Sequence, residues 1–252
     1  MNRNISYKRS TSQIFRDIVY KKSYLNKFEK HLAFSRKILS YDFGNLLIPD
    51  RLACMNALNK LLRILALNIQ DNIICHVLNN EYNYFFEPVL TRQSLYCRKC
   101  HQSLNCSTSM TRPKSPIPFD LSMNPVLSSC WNIDRLICAL GNISPYIGRP
   151  FSFDKANHFS SILIKPVNLL IIGNGFHSTT SGIYDTKAVY FPEYVLDISN
   201  WYDVIHFDGI AFYHSECNTL LYSPEQKEIG IIYEIGRLLI DSNLNLIDLH
   251  NT

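Results

Sequence analysis

Apolar positions recur at helical spacing through residues 11 to 40, with Ile14, Phe15, Ile18 and Val19 followed by Leu25, Phe28 and Leu32 and with Lys and Arg between them. The pattern predicts one long or two shorter amphipathic helices. Gly44-Asn45 and Pro49-Asp50 interrupt it. Beyond them Leu52, Met55, Leu58, Leu61, Leu62, Leu65 and Ile69 fall on one face of a second helix that runs towards Leu78, with Pro49 suited to a first turn. The first hundred residues therefore read as mostly helical.

The texture changes after a Pro-, Ser- and Thr-rich stretch over 107–125, which reads as a linker. Residues 117–121 give a short strand entry, and Trp131 to Leu140 a helix with Gly141 near its end. Ser160–Ile164, Val167–Ile172, Ala188–Phe191 and Tyr194–Ile198 are strand-like, with Pro166 marking an edge, a bulge or a hairpin. Asp203 to Tyr213 adds strand, and Glu225 to Asp241 closes with an amphipathic helix. The expected organisation is α+β: a helical region over 1–106, a linker over 107–125, and a small mixed-sheet domain over 126–252.

Composition fits a globular chain, with 46% hydrophobic and 18% charged residues over 252 positions. No uninterrupted apolar run reaches the roughly 18 residues of a membrane span, and no apolar stretch follows the basic first residues as in a signal peptide. The expectation is a cytoplasmic protein with no membrane partner. The net charge of +4 conceals an asymmetry, since residues 1–40 carry ten basic and two acidic side chains. That basic face can be a solvated helix surface or can engage nucleic acid or an acidic protein partner.

Two stretches carry candidate chemistry. Cys97-Arg98-Lys99-Cys100-His101, followed by Cys106, has the Cys-x-x-Cys-His spacing of covalent haem attachment, which requires export. A structural zinc ion held by Cys97 and Cys100 with His101 or Cys106 is the alternative metal reading, although no second Cys-x-x-Cys matches the first. Free thiols in a loop are the simplest reading. The other stretch is Leu169-Leu170-Ile171-Ile172-Gly173-Asn174-Gly175-Phe176-His177-Ser178-Thr179, a buried strand, a glycine turn and a helix start. Backbone N–H groups at such a turn, with the Ser178 and Thr179 hydroxyls, can hold a phosphate. His177 is then the candidate acid/base group. Asn157, His158 and Asp185 are candidates to support it, and Asp185, Asp197 or Asp203 to hold a divalent ion.

The order of these elements resembles the ParB/sulfiredoxin-like domain, and a bacterial family built on that core, over about residues 115–200. Ile117-Pro118-Phe119-Asp120-Leu121 and Asn124-Pro125 look like its opening strand and turn, and Ile133 to Leu140 like its following helix. Leu170 to Ser178 look like its glycine-turn signature, with Gly182 and the strand Tyr194 to Ile198 as the continuation. The resemblance implies binding of a nucleotide with a divalent cation, or of nucleic acid, and phosphoester or nucleotide hydrolysis. Ser178 stands where the family carries a phosphate-gripping arginine, and Val126-Leu127 replaces its Pro-Arg. Phe176, not cysteine, precedes His177, which argues against sulfiredoxin chemistry.

Overall fold

A computed structural model of the chain describes residues 11–44, 50–79, 90, 94–101, 103–105 and 109–251. The periodic N-terminal segment is one helix, α1 (Thr11–Leu39), and the second apolar repeat is α2 (Asp50–Leu78). A ribbon of two antiparallel strands follows, β1 (Ser94–Tyr96) and β2 (Ser103–Asn105). Next come β3 (Met110–Thr111), β4 (Phe119–Asp120), β5 (Val126–Leu127), α3 (Ile133–Asn142), β6 (Ile162–Lys165), β7 (Leu169–Ile171) and α4 (Phe176–Tyr184). The chain ends with β8 (Val189–Tyr190), β9 (Tyr194–Asp197), β10 (Ile205–Phe207), β11 (Phe212–His214), β12 (Leu220–Tyr222) and α5 (Glu228–Asp241), before a 3₁₀ segment over Leu246–Asn251.

The central sheet has the order β3-β9-β6-β7-β5 and is mixed: β6 pairs antiparallel with β7 and parallel with β9, and β5 pairs parallel with β7. Strands β5 and β7 and the middle of β6 are apolar on both faces because both faces are covered there. Val126, Leu170, Leu163 and Val195 lie in register across it and pack with Phe119, Leu121, Phe151, Ile183 and Tyr190. The alternate residues Leu127, Ile164, Leu169, Ile171 and Leu196 face the other way, into a core shared with α1, α2 and α5. A second, antiparallel sheet, β10-β11-β12, joins that same core through Ile205, Phe207 and Phe212.

One expectation changes. The stretch read as a linker over 107–125 contains β3, which pairs with β9, and β4, which pairs with β8. Its prolines lie between short strands that are held by partners distant in sequence. α2 is the helix expected, although by length and composition it would also pass as a membrane span. Here it is a core helix: Leu58, Leu62, Leu65, Ile69 and Ile73 are at most 1% exposed. Its polar residues are docking groups. Gln70 exchanges two hydrogen bonds with the Ser128 backbone, at 2.8 and 2.9 Å. Arg63 donates to the carbonyls of Leu121 and Asn124 at 2.8 and 2.9 Å. Asn59 joins a buried amide cluster with Asn124 and Asn168.

The basic face of α1 is an outer surface. Phe28, Leu32 and Ile38 turn into the core while Lys21, Lys22, Lys30, Arg36 and Lys37 are exposed. Lys27 instead pairs with the partly buried Glu228 at the start of α5.

Candidate functional site

The turn after β1 and the turn after β11 face one another. The first carries Cys97 and Cys100 at i and i+3, and a tight turn over 98–100 brings both sulfurs to one side, with the His101 N–H donating to the Cys97 carbonyl at 2.9 Å. The second carries His214, the last residue of β11, and Cys217, also at i and i+3. There the N–H of His214 donates to Thr219 and the N–H of Asn218 donates back to the His214 carbonyl. Asn218 adopts φ 49°, a left-handed conformation that asparagine tolerates.

The four side chains form a compact set in which one ligand atom from each lies within 4.8 Å of the others. Cys97 Sγ is 3.4 Å from Cys217 Sγ, Cys217 Sγ is 4.0 Å from Cys100 Sγ, and Cys100 Sγ is 3.4 Å from His214 Nε2. A tetrahedron with sulfurs about 2.3 Å from its centre has edges of about 3.8 Å. The observed spacings bracket that value. Disulfide geometry does not describe the site, because a sulfur pair at 3.4 Å or more is far outside the roughly 2.05 Å bond. Cys97 and His214 are almost wholly buried.

The local electrostatics favour thiolate. The backbone N–H of Cys100 points at the Cys97 sulfur, and with smaller contributions from the Cys100 thiol, the Lys99 N–H and the Cys217 thiol it pulls the Cys97 thiol down to about 6, against the opposing effect of burial. Lys99 places its ammonium on the Cys217 carbonyl at 3.4 Å. Three sulfurs and an imidazole are the soft, nitrogen-containing donor set that suits zinc.

Of the metal ligands expected from sequence, Cys97 and Cys100 are here and His101 is not. The His101 ring bonds Tyr96 Oη at 2.7 Å, and His101 takes up a left-handed φ of 58°. Cys106 lies outside the described residues. Sequence reading missed His214 and Cys217, whose His-x-x-Cys spacing was the available signal: it is the matching half that a search for a second Cys-x-x-Cys passes over.

The glycine turn forms as expected, with Gly175 at φ 78° capping α4. Its surroundings are protein. A Cβ on Gly173 would lie 2.1 Å from the Ser160 carbonyl oxygen, and one on Gly175 would lie 2.3 Å from the His158 ring. The glycines thus admit the 154–160 loop. His158 is buried against Phe151, Phe153 and Tyr190. Its Nδ1 accepts from the Asp154 N–H at 2.9 Å, which puts the proton on Nε2. Nε2–H then donates to Ser178 Oγ at 2.9 Å, and Ser178 Oγ donates to the Gly175 carbonyl at 3.0 Å. The serine is a relay in a structural clasp, since the imidazole has no lone pair aimed at it. Burial pushes the His158 imidazole down, which keeps it neutral.

His177 serves another element. Its Nε2 accepts from the Asn132 N–H at 3.3 Å, at the start of α3, and its ring meets Trp131 edge-on. Burial, with Arg135 nearby, lowers its proton affinity. The Asn174 side chain bonds the Asn157 carbonyl at 2.7 Å, and Thr179 is fully buried. Asp185 caps the far end of α4, with its carboxyl pushed up by burial. Asp197 is paired with Lys165 at 3.0 Å and caps Ser199. The turn therefore brings Asn157, His158, Gly173, Asn174, Gly175 and Ser178 together, while His177 and Asp185 lie to other sides.

A search of curated proteins and one of solved structures each found no match to the chain. The resemblance of residues 115–200 to the ParB/sulfiredoxin-like domain thus has no counterpart among them. One family model, described as a family of unknown function (DUF6710), spans residues 13–246 and so takes in both the helical and the strand-rich parts; the chain belongs to that family.

Proposed function

We propose that this is a zinc-binding protein whose ion, held by Cys97, Cys100, His214 and Cys217, is structural. The observation that carries the reading is the convergence of four donor atoms within 4.8 Å from two hairpin turns more than a hundred residues apart in sequence. Four protein ligands complete a tetrahedral shell and leave no position for water or substrate, the arrangement of closed rather than catalytic zinc. What the ion does is mechanical. The β1-β2 ribbon has only three residues per strand, too few for a two-stranded ribbon to persist unaided. Tying it to β11 anchors the connection between the helical and strand-rich halves. A cytoplasmic setting, which keeps thiols reduced, suits such a centre.

Metal analysis of the protein purified without added zinc tests the reading. One zinc per chain is expected, and cobalt exchanged into the site should show sulfur-to-cobalt charge-transfer bands and the intense visible absorption of tetrahedral cobalt. Cys97→Ser and Cys217→Ser should each lose the bound metal, whereas His101→Ala should keep it. Protein that neither retains zinc nor binds cobalt stoichiometrically in reductant would overturn the proposal.

A further inference from the structure

A cavity of about 480 Å³ opens beside β3 and β9, sharing no residue with the cysteine–histidine cluster. Three phenylalanines, Phe153, Phe159 and Phe191, and three prolines, Pro113, Pro116 and Pro192, make its walls. Phe159 and Phe191 are 45% and 36% exposed, a large aromatic area left in contact with water. Phe153 meets Phe191 edge-on at 5.3 Å and stacks on His158 at 5.5 Å, so one wall is a fixed aromatic surface backed by the clasp that holds the glycine turn.

The polar groups at this cavity are few. His158 has both ring nitrogens engaged and offers only its ring. Glu193 has both carboxylate oxygens occupied, Oε1 by Arg112 at 3.0 Å and Oε2 by the Ser160 N–H at 2.7 Å. Arg112 is steadied by Glu193, by Tyr194 Oη at 3.1 Å and by its position over the Tyr194 ring. Lys155 is exposed at the cavity and has no charge partner among the described residues. The two cations outnumber the single carboxylate.

We propose that this cavity binds a small ligand with a planar aromatic ring and an anionic group, the ring lying between Phe153, Phe159 and Phe191 and the anion at Lys155 and Arg112. Aromatic walls prefer a flat ring, which stacks or meets them edge-on, and the prolines add apolar contact without N–H groups to satisfy. A cavity of this size holds a ligand of one or two rings with its substituent. A carboxylate and a phosphate monoester supply the same charge, and the probes separate them.

The test is isothermal calorimetry on the 252-residue, zinc-supplemented protein with 2-naphthoate and adenosine monophosphate, each paired with its uncharged counterpart, 2-naphthalenemethanol and adenosine. At least one anion is expected to bind about tenfold more tightly than its counterpart, the gain of a charge-assisted contact. Which one does so identifies carboxylate or phosphate as the acid. Lys155→Ala, at an exposed position that should not disturb folding, is expected to weaken that binding several-fold, and Phe191→Ala to weaken ring-bearing probes in general. Equal affinity for anionic and uncharged probes, no binding of either anion, or binding unchanged in the Lys155→Ala, Arg112→Ala double variant would overturn the inference.

Discussion

At the scale of single residues, the glycine turn shows how similar local sequence can serve different ends. Gly173 and Gly175 were legible as a sharp strand-to-helix turn, but a turn that receives a phosphate and one that receives a neighbouring loop need the same glycines. What decides is Ser160 and His158, which occupy the space. Gly175→Ala combines a left-handed φ with a Cβ 2.3 Å from the His158 ring, so a loss of about 2 kcal/mol or more in urea unfolding is expected. Gly141→Ala, whose Cβ meets nothing within 4 Å near the end of α3, should instead stabilise by about 0.5 kcal/mol. A similar loss in both variants would remove the packing explanation. The clasp also fixes a pH response. His158, His177 and His250 all have proton affinity lowered by burial relative to the ordinary value of 6.5. Above that value neither folded nor unfolded chain charges them. As pH falls below it the unfolded chain takes up protons first, so stability drops. Urea midpoints should fall between pH 7 and pH 5, and His158→Gln, which retains an amide donor for Ser178, should flatten part of that slope.

Among the secondary-structure elements, legibility tracked how locally each is determined. α1, α2 and α5 were readable because their apolar stripes repeat within the helix itself, β7 and the middle of β6 because burial on both faces leaves continuous apolar runs, and β9 from its Tyr-Val-Leu run. β3 was not, since a two-residue strand in a proline-rich stretch carries no period and exists only through pairing with β9; β4 showed as the short strand entry at 117–121, but nothing in the sequence named its partner β8. The proposed metal centre fails to show for a related reason. Cys97 and Cys100 announce half a site, and the other half sits in a hairpin whose His-x-x-Cys is unremarkable until the fold apposes it. If the β1-β2 ribbon is held by the proposed zinc, removing the ion should act locally. Hydrogen exchange after chelation in reductant should show faster exchange at Tyr96 and across the 98–101 turn, with α2 and α5 amides little changed. Acceleration spread evenly over the chain would mean that the ion supports the whole core, not the ribbon.

For the whole molecule, the question is whether the helical and strand-rich halves are separable, as the composition change near residue 107 suggests. The packing argues that they are not. Leu58, Leu62, Leu65, Ile69 and Ile73 of α2 are buried in the same core as β5, β6, β7 and α5. At about 1.5–3 kcal/mol for each fully buried side chain, these five contribute about 10 kcal/mol, comparable with the whole net stability of a typical domain. Gln70 adds a specific lock, because deleting its amide strands the buried Ser128 N–H and takes one of two donors from the Ser128 carbonyl, which keeps the Cys130 N–H at 3.1 Å. Gln70→Ala should therefore cost about 1–3 kcal/mol. A fragment of residues 90–252 keeps all four proposed metal ligands and both sheets but lacks α1 and α2, so it isolates the helices' contribution from that of any ion. The full chain is expected to unfold in one transition, reported alike by far-ultraviolet circular dichroism and by Trp131 and Trp201 fluorescence. The fragment, with zinc supplied, is expected to show no cooperative transition and to bind a hydrophobic dye through the face that α2 covers. A fragment that unfolds cooperatively with native-like spectra would instead make the strand-rich half an independent domain, and would reduce α1 and α2 to a docked accessory layer.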